Sequence, residues 1–484
     1  MTKKFKHINS SGFVPKAQFT RKLKLTMVIL CLAFLLIGSY IGYTFVPTPS
    51  STFWWSSGVY PGAPSFTIWV EGTDYFAKDA NGYIQNGHIQ YSGTNASDVI
   101  NDAINGLTFV SVRLPDSGVS VVSAPTGWIH FLPGKYCIDS PIQIPLGSRI
   151  IISGCGTTQQ MIRNGINGGT QIVNSASTPA LKALQKSGSV YCTGSIIYLR
   201  DIEFVQSVAL ASSTTGVLDL DGMAQGKLEN VQVVSDYSLG GLTGVGIRLY
   251  TNNTVGDTNA DTLFEQVQVC GFSTGIYSRI DHWEAHQLDI ANCSLAMKWW
   301  VCIQNHLYGV HIFQVNQILE VHNGFMSYGH ASIEGLYLED IDDDTETIKW
   351  NIYTEFTGII YIENTNVNSC DSTYLWSVNT TNTHGNCSLW FDKVMTACST
   401  VFPSVTTPTI ASATNFTNTF MQTIEVSVWS GTVTGVYVNG LGVGGSQVYG
   451  ILLRPGDRIS VTYSSTPSWV WRAVSAERLH YLDP

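Results

Sequence analysis

A six-residue pattern recurs eight times between residues 199 and 396 of this 484-residue chain, and it constrains the fold more than any other feature. Its usual template is apolar, polar, Asp/Asn/Gln/Gly, apolar, any residue, apolar. The occurrences are residues 199–204, 228–233, 264–269, 285–290, 307–312, 333–338, 362–367 and 391–396. Their fourth positions lie 21 to 36 residues apart. A repeat of this length indicates a stacked array of structural units.

Each occurrence predicts one short strand with an inner and an outer face, because side chains alternate along a strand. The apolar fourth and sixth positions point inward, and neighbouring strands about 4.8 Å apart would join them into one core. The third position suits a turn where backbone groups need a side-chain partner or a positive φ. The pattern is typical of a right-handed parallel β-helix, an all-β fold. An antiparallel sandwich whose strands resemble one another is the alternative.

Stacking the repeats places the fifth positions in one outward column and the second positions in another. The fifth-position column contains Glu203, Gln232, Gln268, Asp289, His311, Tyr337 and Asn366. The second-position column contains Glu229, Glu265, His286, Tyr308, Glu334 and Glu363. In the middle repeats both columns change from amides and acids to a mixture with imidazoles and phenols, which marks a candidate site.

This site combines residue types that suit polysaccharide chemistry. The candidate catalytic residues are Asp289, His311, Glu265 and Glu334. The candidate substrate-binding residues are His286, Tyr308, Tyr337, Trp283, Trp299 and Trp300. Glycoside hydrolysis needs two carboxyl groups roughly 5 to 10 Å apart. A lyase instead needs a base beside a charge-neutralising group, for which His311 with Tyr308 or Tyr337 would serve. The alternative is that these residues are only solvated, and that the tryptophans pack a loop against the core.

An acidic stretch, 339–346, alternates carboxylates at Asp340, Asp342 and Asp344. Carboxylate oxygens are ligands that Ca²⁺ prefers, so these residues form a candidate Ca²⁺ site, and Ca²⁺ is the one cofactor that the sequence suggests. The stretch lacks the glycine and spacing of an EF-hand. A solvated acidic loop is the alternative.

The N-terminal segment predicts a membrane anchor. Residues 1–24 hold seven Lys and Arg and no acid, and the 22 residues 25–46 carry no charge. Such a stretch is long enough to cross a bilayer, and the basic end would stay in the cytoplasm, so that the bulk of this single-pass cell-membrane protein lies outside the cell. A cleaved signal peptide is the alternative. Residues 47–65 would form a stalk.

The charge balance excludes nucleic acid as a partner. Seven of the 25 Lys and Arg residues lie in 1–24, so that 18 basic residues face 35 acidic residues in the remainder and its net charge is −17. Binding to phosphate needs a basic surface. Six Asn-x-Ser/Thr triplets follow residue 46, which makes glycosylation an expectation, and nine cysteines in the same part leave at least one unpaired within a chain.

Three segments carry a resemblance to a known family. They are SDVINDAINGL at 97–107, a predicted helix with Ser97 as its N-cap; IHFLPGKYCIDSPIQI at 129–144; and IIISGCGT at 150–157. Together they resemble the start of pectin-lyase-like β-helix proteins, a superfamily of pectate lyases, polygalacturonases and phage tailspikes. The resemblance implies that a helix caps the β-helix and that the protein acts on, or attaches to, polysaccharide.

The family's catalytic motifs do not carry over. The nearest fragments to those of polygalacturonases are 279–281, 329–330, 342–343 and 364–366, and they are incomplete and stand in nearly the reverse order. The Arg-x-Pro-x-x-Arg motif of pectate lyases is absent from the sequence. The chain therefore has the family's expected fold without its known chemistry.

The C-terminal part predicts a different unit. A β-helix domain at 66–400 is followed by a Ser/Thr-rich connector at 401–419 and by alternating segments at 420–484 that predict a small antiparallel β-domain. Trp469 and Trp471 share one face of a strand there, as core residues or as a platform for a sugar ring. This domain would cap the β-helix, mediate a homotrimer or bind glycan.

Two classes of function remain open from the sequence. One is a membrane-anchored enzyme, a polysaccharide lyase or glycoside hydrolase. The other is a non-catalytic adhesin or structural protein of the cell envelope. Both have a polysaccharide or cell-surface glycan as the partner.

Overall fold

The computed structural model describes residues 64–79, 90–113, 121–157, 169–184, 195–221, 223–235, 242–249, 261–280, 282–300, 304–322, 329–341, 349–352, 358–368, 378–379, 387–392, 395–396, 405–418, 423–445, 447–454 and 456–473. The predicted membrane span, nearly all of the stalk, and Asp342 and Asp344 lie outside these ranges. Within the described ranges, no helix has both the length and the apolar character that crossing a membrane requires.

The described chain begins with short strands around one helix. These elements are β1 (Phe66–Glu71), β2 (Asp74–Asp79), β3 (Tyr91–Gly93), α1 (Ala96–Asn105), β4 (Thr108–Arg113) and β5 (Val121–Phe131). Helix α1 buries Val99, Ile100, Ala103 and Ile104, which helical spacing places on one face. The predicted N-cap is wrong by two residues. Asn95 caps the helix by accepting a hydrogen bond from the backbone N–H of Ser97 at 2.9 Å.

Ser97 is buried because its hydroxyl has a different role. Its Oγ donates to the backbone oxygen of Ser140 at 3.0 Å and so ties α1 to the chain between two later strands. Asn95 supports the same junction, since its Nδ2 donates to Asp139 Oδ1 at 3.1 Å. A residue inside the first turn can thus use its hydroxyl for a tertiary contact when a neighbour supplies the cap.

The next part of the chain coils through two parallel sheets. Its strands are β6 (Gly134–Ile138), β7 (Ile142–Ile144), β8 (Arg149–Ser153), β9 (Thr170–Asn174), β10 (Leu181–Ala183), β11 (Ser195–Gln206), β12 (Gly216–Asp219), β13 (Met223–Ser235), β14 (Leu242–Leu249), β15 (Asp261–Cys270), β16 (Phe272–Ser278), β17 (His282–Ala291), β18 (Leu295–Trp299), β19 (Gln304–Phe313), β20 (Gln317–Val321), β21 (Gly329–Glu334), β22 (Tyr337–Glu339), β23 (Trp350–Ile352), β24 (Gly358–Glu363), β25 (Asn366–Asn368), β26 (Val378–Asn379), β27 (Cys387–Asp392) and β28 (Met395–Thr396).

Sheet B contains β7, β10, β12, β14, β16, β18, β20, β23 and β26, and sheet A contains the other strands of this coil together with β1 to β5. From β11 to β28 the chain passes from sheet A to sheet B and back once per repeat, and each strand pairs in parallel with those of the neighbouring repeats. This is a parallel β-helix, as the repeat predicts.

The predicted inner column is present. The fourth-position residues Ile202, Val231, Val267, Leu288, Val310 and Leu336 are each fully buried. Ile202 pairs in register with Val231, and Leu288 with Val310. The core is therefore one continuous stack of aliphatic side chains, and no single repeat could bury its own.

In the seven repeats whose third position is described, this residue bends the chain within sheet A. Positive φ values occur at Asp201, Asn230, Gln266, Gln287, Gly309, Gly335 and Asn364, between 50° and 71°. The prediction of a positive φ at this position is confirmed. Amides, Asp and Gly recur there because they tolerate left-handed backbone better than β-branched or bulky residues do. The bend divides sheet A into two arms, with the second-position column on one arm and the fifth-position column on the other.

The last described part has its own core. It contains β29 (Asn415–Thr417), β30 (Ile424–Trp429), β31 (Thr432–Val438), β32 (Leu441–Gly444), β33 (Val448–Leu453), β34 (Arg458–Ser465) and β35 (Ser468–Ala473), paired antiparallel in two sheets. Trp469 and Trp471 are 8% and 4% exposed and belong to this core. Trp469 Nε1 donates to the backbone oxygen of Pro408 at 2.8 Å. The two rings therefore do not form an exposed platform for a sugar.

Candidate functional site

The fifth-position column runs along one arm of sheet A in the register that the repeat predicts. Successive pairs join Glu203, Gln232, Gln268, Asp289, His311, Tyr337 and Asn366. Amides link the column, since Gln232 Nε2 donates to Gln268 Oε1 at 2.7 Å and Gln268 Nε2 donates to Asp289 Oδ2 at 3.2 Å. Glu203 and Gln232 are buried, so the accessible part of the column begins near Gln268.

His311 lies between two carboxylates at the centre of this column. Its Nδ1 is 3.3 Å from Asp289 Oδ1 on the preceding repeat, and its Nε2 is 3.5 Å from Glu339 Oε2 on the following repeat. About a third of each of these three side chains is exposed. The Asp289 carboxylate raises the pKa of His311; partial burial opposes this rise and Glu339 adds to it. The imidazole therefore holds a proton more tightly than a free histidine does.

Tyr337, on the repeat that follows His311, contacts the His311 ring. Its ring centroid lies 5.0 Å from that of His311, with the planes tilted by 58°. Asn368 Nδ2 donates to the Tyr337 hydroxyl oxygen at 2.9 Å, which leaves the phenol proton available to a ligand. A proton donor, two carboxylates and a phenol thus meet on neighbouring repeats.

The second-position column occupies the other arm and begins with an ion-pair cluster. Lys227 Nζ lies 3.0 Å from Glu229 Oε2 and 2.7 Å from Glu265 Oε2. Glu229 also accepts a hydrogen bond from the Tyr198 hydroxyl. Burial opposes ionisation, but Tyr198 and Lys227 together lower the pKa of Glu229. Glu265 is therefore the partner of a lysine in this structure.

Further along, the same column presents rings and then acids. His286 and Tyr308 stack with centroids 4.9 Å apart and planes 19° from parallel, and His286 Nε2 lies 2.7 Å from Glu284 Oε1. Glu334 follows Tyr308 in register, and Glu363 follows Glu334. We call the fifth-position column from Gln268 to Asn366 and the second-position column from Glu229 to Glu363, with Glu339, the polar wall.

The structure brings together only part of the predicted catalytic set. Asp289 and His311 are adjacent, whereas no contact among the described residues joins Glu265 or Glu334 to either of them. The bend at the third position places the two columns on different arms. Glu339 is the carboxylate that sequence reasoning missed. Its position two residues after Tyr337 puts both side chains on one face of a strand, and this period was available from the sequence.

Two of the three predicted tryptophans are inside the coil. Trp283 is 2% exposed and Trp299 is fully buried, with centroids 6.2 Å apart, so neither lines a groove. Both occupy inward positions of their strands, where large apolar rings fill the core. Trp300 is partly exposed and stacks on His322 at 4.6 Å. Arg279 lies 5.8 Å from the centroid of Trp300.

Sheet B carries a charged cluster that the sequence analysis did not single out. Arg248 Nη1 lies 3.2 Å from Asp219 Oδ2, and its Nη2 lies 3.5 Å from Asp221 Oδ2. Burial raises the pKa of Asp221 to about 7, against the attraction of Arg248, and burial also raises the pKa of Asp219. The sequence does show two acids spaced by one residue at the end of an apolar strand. Their arginine partner could not be identified from it, because this residue is nearly 30 residues further along the chain.

The metal and cysteine predictions are only partly covered by the described ranges. Asp340 is exposed, and Asp342 and Asp344 lie outside these ranges. Among the described residues, no group of three or more His, Cys, Asp or Glu side chains is arranged to hold a metal ion. The described thiols of Cys137, Cys155, Cys270 and Cys293 are free.

Comparison with known proteins adds two distant likenesses in structure. The chain matches no family model and no curated protein. A chain described as ORF18 of Geobacillus virus E2 is 11% identical, with a TM-score of 0.35, and the match covers 78% of this chain and 75% of that one. The enzymatically active domain of tailspike protein 4 from bacteriophage CBA120 is also 11% identical, with a TM-score of 0.32 and coverage of 76% and 72%.

Proposed function

We propose that this protein binds a polysaccharide along the polar wall and cleaves it with His311, Asp289 and Glu339. The observation that carries the proposal is the partly exposed imidazole of His311 between carboxylates of the two adjacent repeats. A parallel β-helix repeats its side chains at about 4.8 Å along its axis. Such a wall suits a linear polymer because each unit of the polymer meets a similar set of polar groups.

The proposed chemistry is acid–base cleavage of a glycosidic bond. Protonated His311 passes a proton to one of its two carboxylates, Asp289 or Glu339, and that carboxyl group donates it to the leaving oxygen as the bond between the anomeric carbon and this oxygen breaks. The other carboxylate takes the proton of the water that attacks the anomeric carbon and returns it to His311. Tyr337 and Asn366 in the same column would orient the chain through hydroxyl and amide groups.

The test is a panel of polysaccharides incubated with the full chain in detergent, with reducing ends and unsaturated products measured separately. His311→Gln should lower the rate at least about 100-fold, as loss of a group that transfers the catalytic proton does. His322→Gln is the matched control, since His322 also meets a carboxylate, Glu320 at 2.5 Å, and stacks on an aromatic ring, but on sheet B. Equal loss in both variants would contradict the assignment of His311.

A non-catalytic binding wall is the second candidate. It is favoured by the contacts within the second-position column, where Lys227 joins Glu229 and Glu265, and His286 joins Glu284 and Tyr308. Side chains that contact one another in this way can form a rigid binding surface that catalyses no reaction. Retention of the protein on an immobilised polysaccharide without any product from it would select this candidate, an adhesin or envelope protein.

We also propose that residues 25–46 hold the protein in the cell membrane, with the polar wall outside the cell. The proposal rests on the uncharged stretch and the basic residues before it. Membranes washed at high pH should retain the full chain and release a variant that lacks residues 1–46. Release of both proteins would contradict the anchor.

A further inference from the structure

The charges of the polar wall distinguish between classes of polysaccharide. We infer that the bound chain is an uncharged polysaccharide cleaved by hydrolysis, and not a polyuronate cleaved by elimination. This inference rests on the proposed function and narrows it. It can fail while polysaccharide binding stands, because a polyuronate bound at the wall would contradict it alone.

The strands of sheet A from β13 onward are strongly acidic. Among the described side chains of these strands the acids are Glu229, Asp261, Glu265, Glu284, Asp289, Glu334, Glu339 and Glu363, and the only lysine or arginine is Lys227. A polyuronate carries a carboxylate on every unit. Such a chain laid along the wall would meet like charges at successive repeats, and repulsion of this kind excludes a wrong partner.

The cations in the wall and beside it already have carboxylate partners. Lys227 lies within 3.0 Å of both Glu229 and Glu265. His311, when protonated, lies between Asp289 and Glu339. Elimination from a uronate requires that a cation or metal neutralise the sugar carboxylate while the proton beside it is removed. No group of the described wall is placed to do so.

The same groups suit sugar hydroxyls. Carboxylates accept hydrogen bonds from hydroxyl donors, and such charge-assisted bonds are stronger than neutral ones. Glu334 is exposed, Glu363 is partly exposed, and they follow one another in register, so they present acceptors on successive repeats. The Tyr337 phenol can donate in return. Hydrolysis needs no charge on the sugar, only a proton for the leaving oxygen and a base for water, which His311 and its two carboxylates provide.

Affinity electrophoresis of the full chain in detergent tests the inference with neutral probes (dextran, mannan, galactan) and anionic probes (polygalacturonate, alginate), each in EDTA and in Ca²⁺. We expect binding to at least one neutral polymer and at least about tenfold weaker binding to both polyuronates at low salt, where like-charge repulsion is largest. Stronger binding to a polyuronate, with or without Ca²⁺, would overturn the inference alone. Binding to no polymer would overturn the proposed function as well.

A charge reversal makes the test specific to the wall. The double variant Glu334→Lys with Glu363→Lys should strengthen binding to polygalacturonate at least about tenfold, and salt should weaken the gain. The matched control, Glu71→Lys with Glu425→Lys, changes the net charge equally at two residues outside the wall. An equal gain in the control, or no gain in the wall variant, would show that the charge of the wall does not select the substrate.

Discussion

Sheet A and sheet B belong to one coil, but their outer faces differ in the balance of acidic and basic residues. The described strands of sheet B hold the cations Lys182, Arg248 and Lys298 and the acids Asp219 and Glu320, with the ion pairs Arg248–Asp219 and Lys298–Glu320 at 3.2 and 2.6 Å. The described side chains of the sheet A strands from β13 onward include eight acids and one lysine. Ion pairs between neighbouring strands stabilise a sheet, whereas carboxylates in excess of the cations remain available to a ligand. The comparison favours sheet A as the functional face.

The largest expected effect is on sheet B. Arg248→Met removes the guanidinium that contacts both Asp219 and Asp221, whose side chains are only 6% and 17% exposed. Asp219 and Asp221 would then lack the cation that contacts them, and the free energy of unfolding should fall by about 3 to 5 kcal/mol. Denaturant titration at pH 8 measures it. A loss below about 1 kcal/mol would mean that the cluster does not stabilise the fold.

A pH dependence should follow from the same cluster. The pKa of Asp221 is raised from about 3.9 when unfolded to about 7 in the fold, so folding favours its protonated form. This stability is present below about pH 4 and is lost as the pH rises through about 7, by at most about 1.4 kcal/mol per pH unit. Asp221→Asn should flatten that slope, while Asp261→Asn, at an exposed residue on sheet A, should leave it unchanged. Equal slopes in wild type and Asp221→Asn would contradict this assignment.

A smaller effect separates the bend of sheet A from its side-chain chemistry. Gly309 has φ of 64°, and an added Cβ would meet only backbone of Gln287 at 3.8 Å, so Gly309→Ala tests conformation without a clash. We expect a loss of about 1 to 2 kcal/mol, the cost of left-handed backbone for an L-residue. Gly309→Asn should cost less, because Asn occupies the same position at Asn230 and Asn364. Equal stability of Ala and Asn variants, measured by thermal unfolding, would contradict the role of the bend.

The smallest effect is expected at Lys227 on sheet A. Its partners Glu229 and Glu265 are more than a third exposed, so Lys227→Met should change stability by no more than about 1 kcal/mol and less in high salt. The contrast with Arg248→Met is the sharpest test of the comparison between the two sheets. Similar losses of stability in the two variants would mean that the ion pairs of sheet B stabilise the fold no more than those of sheet A.

Much of sheet A was predictable from local patterns. The six-residue repeat predicted the inner column through Ile202 and Leu288, the outward register of Asp289 with His311, and the positive φ at positions such as Gln287. Each depends on period-two alternation or on one residue's backbone preference. The N-cap at Asn95 was missed because Asn and Ser both suit a cap, and only the tertiary contact of Ser97 with Ser140 separates them.

The amino-acid sequence alone determined the parallel coil, its core positions and the order of the outward columns, because these follow from a short repeat read along the chain. Only the tertiary structure decided which polar residues meet. It paired Glu339 with His311, drew Trp283 and Trp299 into the core, separated Glu265 and Glu334 from the Asp289–His311 pair, and joined Arg248 to Asp219 and Asp221. Those contacts depend on the bend within sheet A and on loops of unequal length that set which residues stack, and neither the angle of a bend nor the path of a loop is written in the period of a repeat.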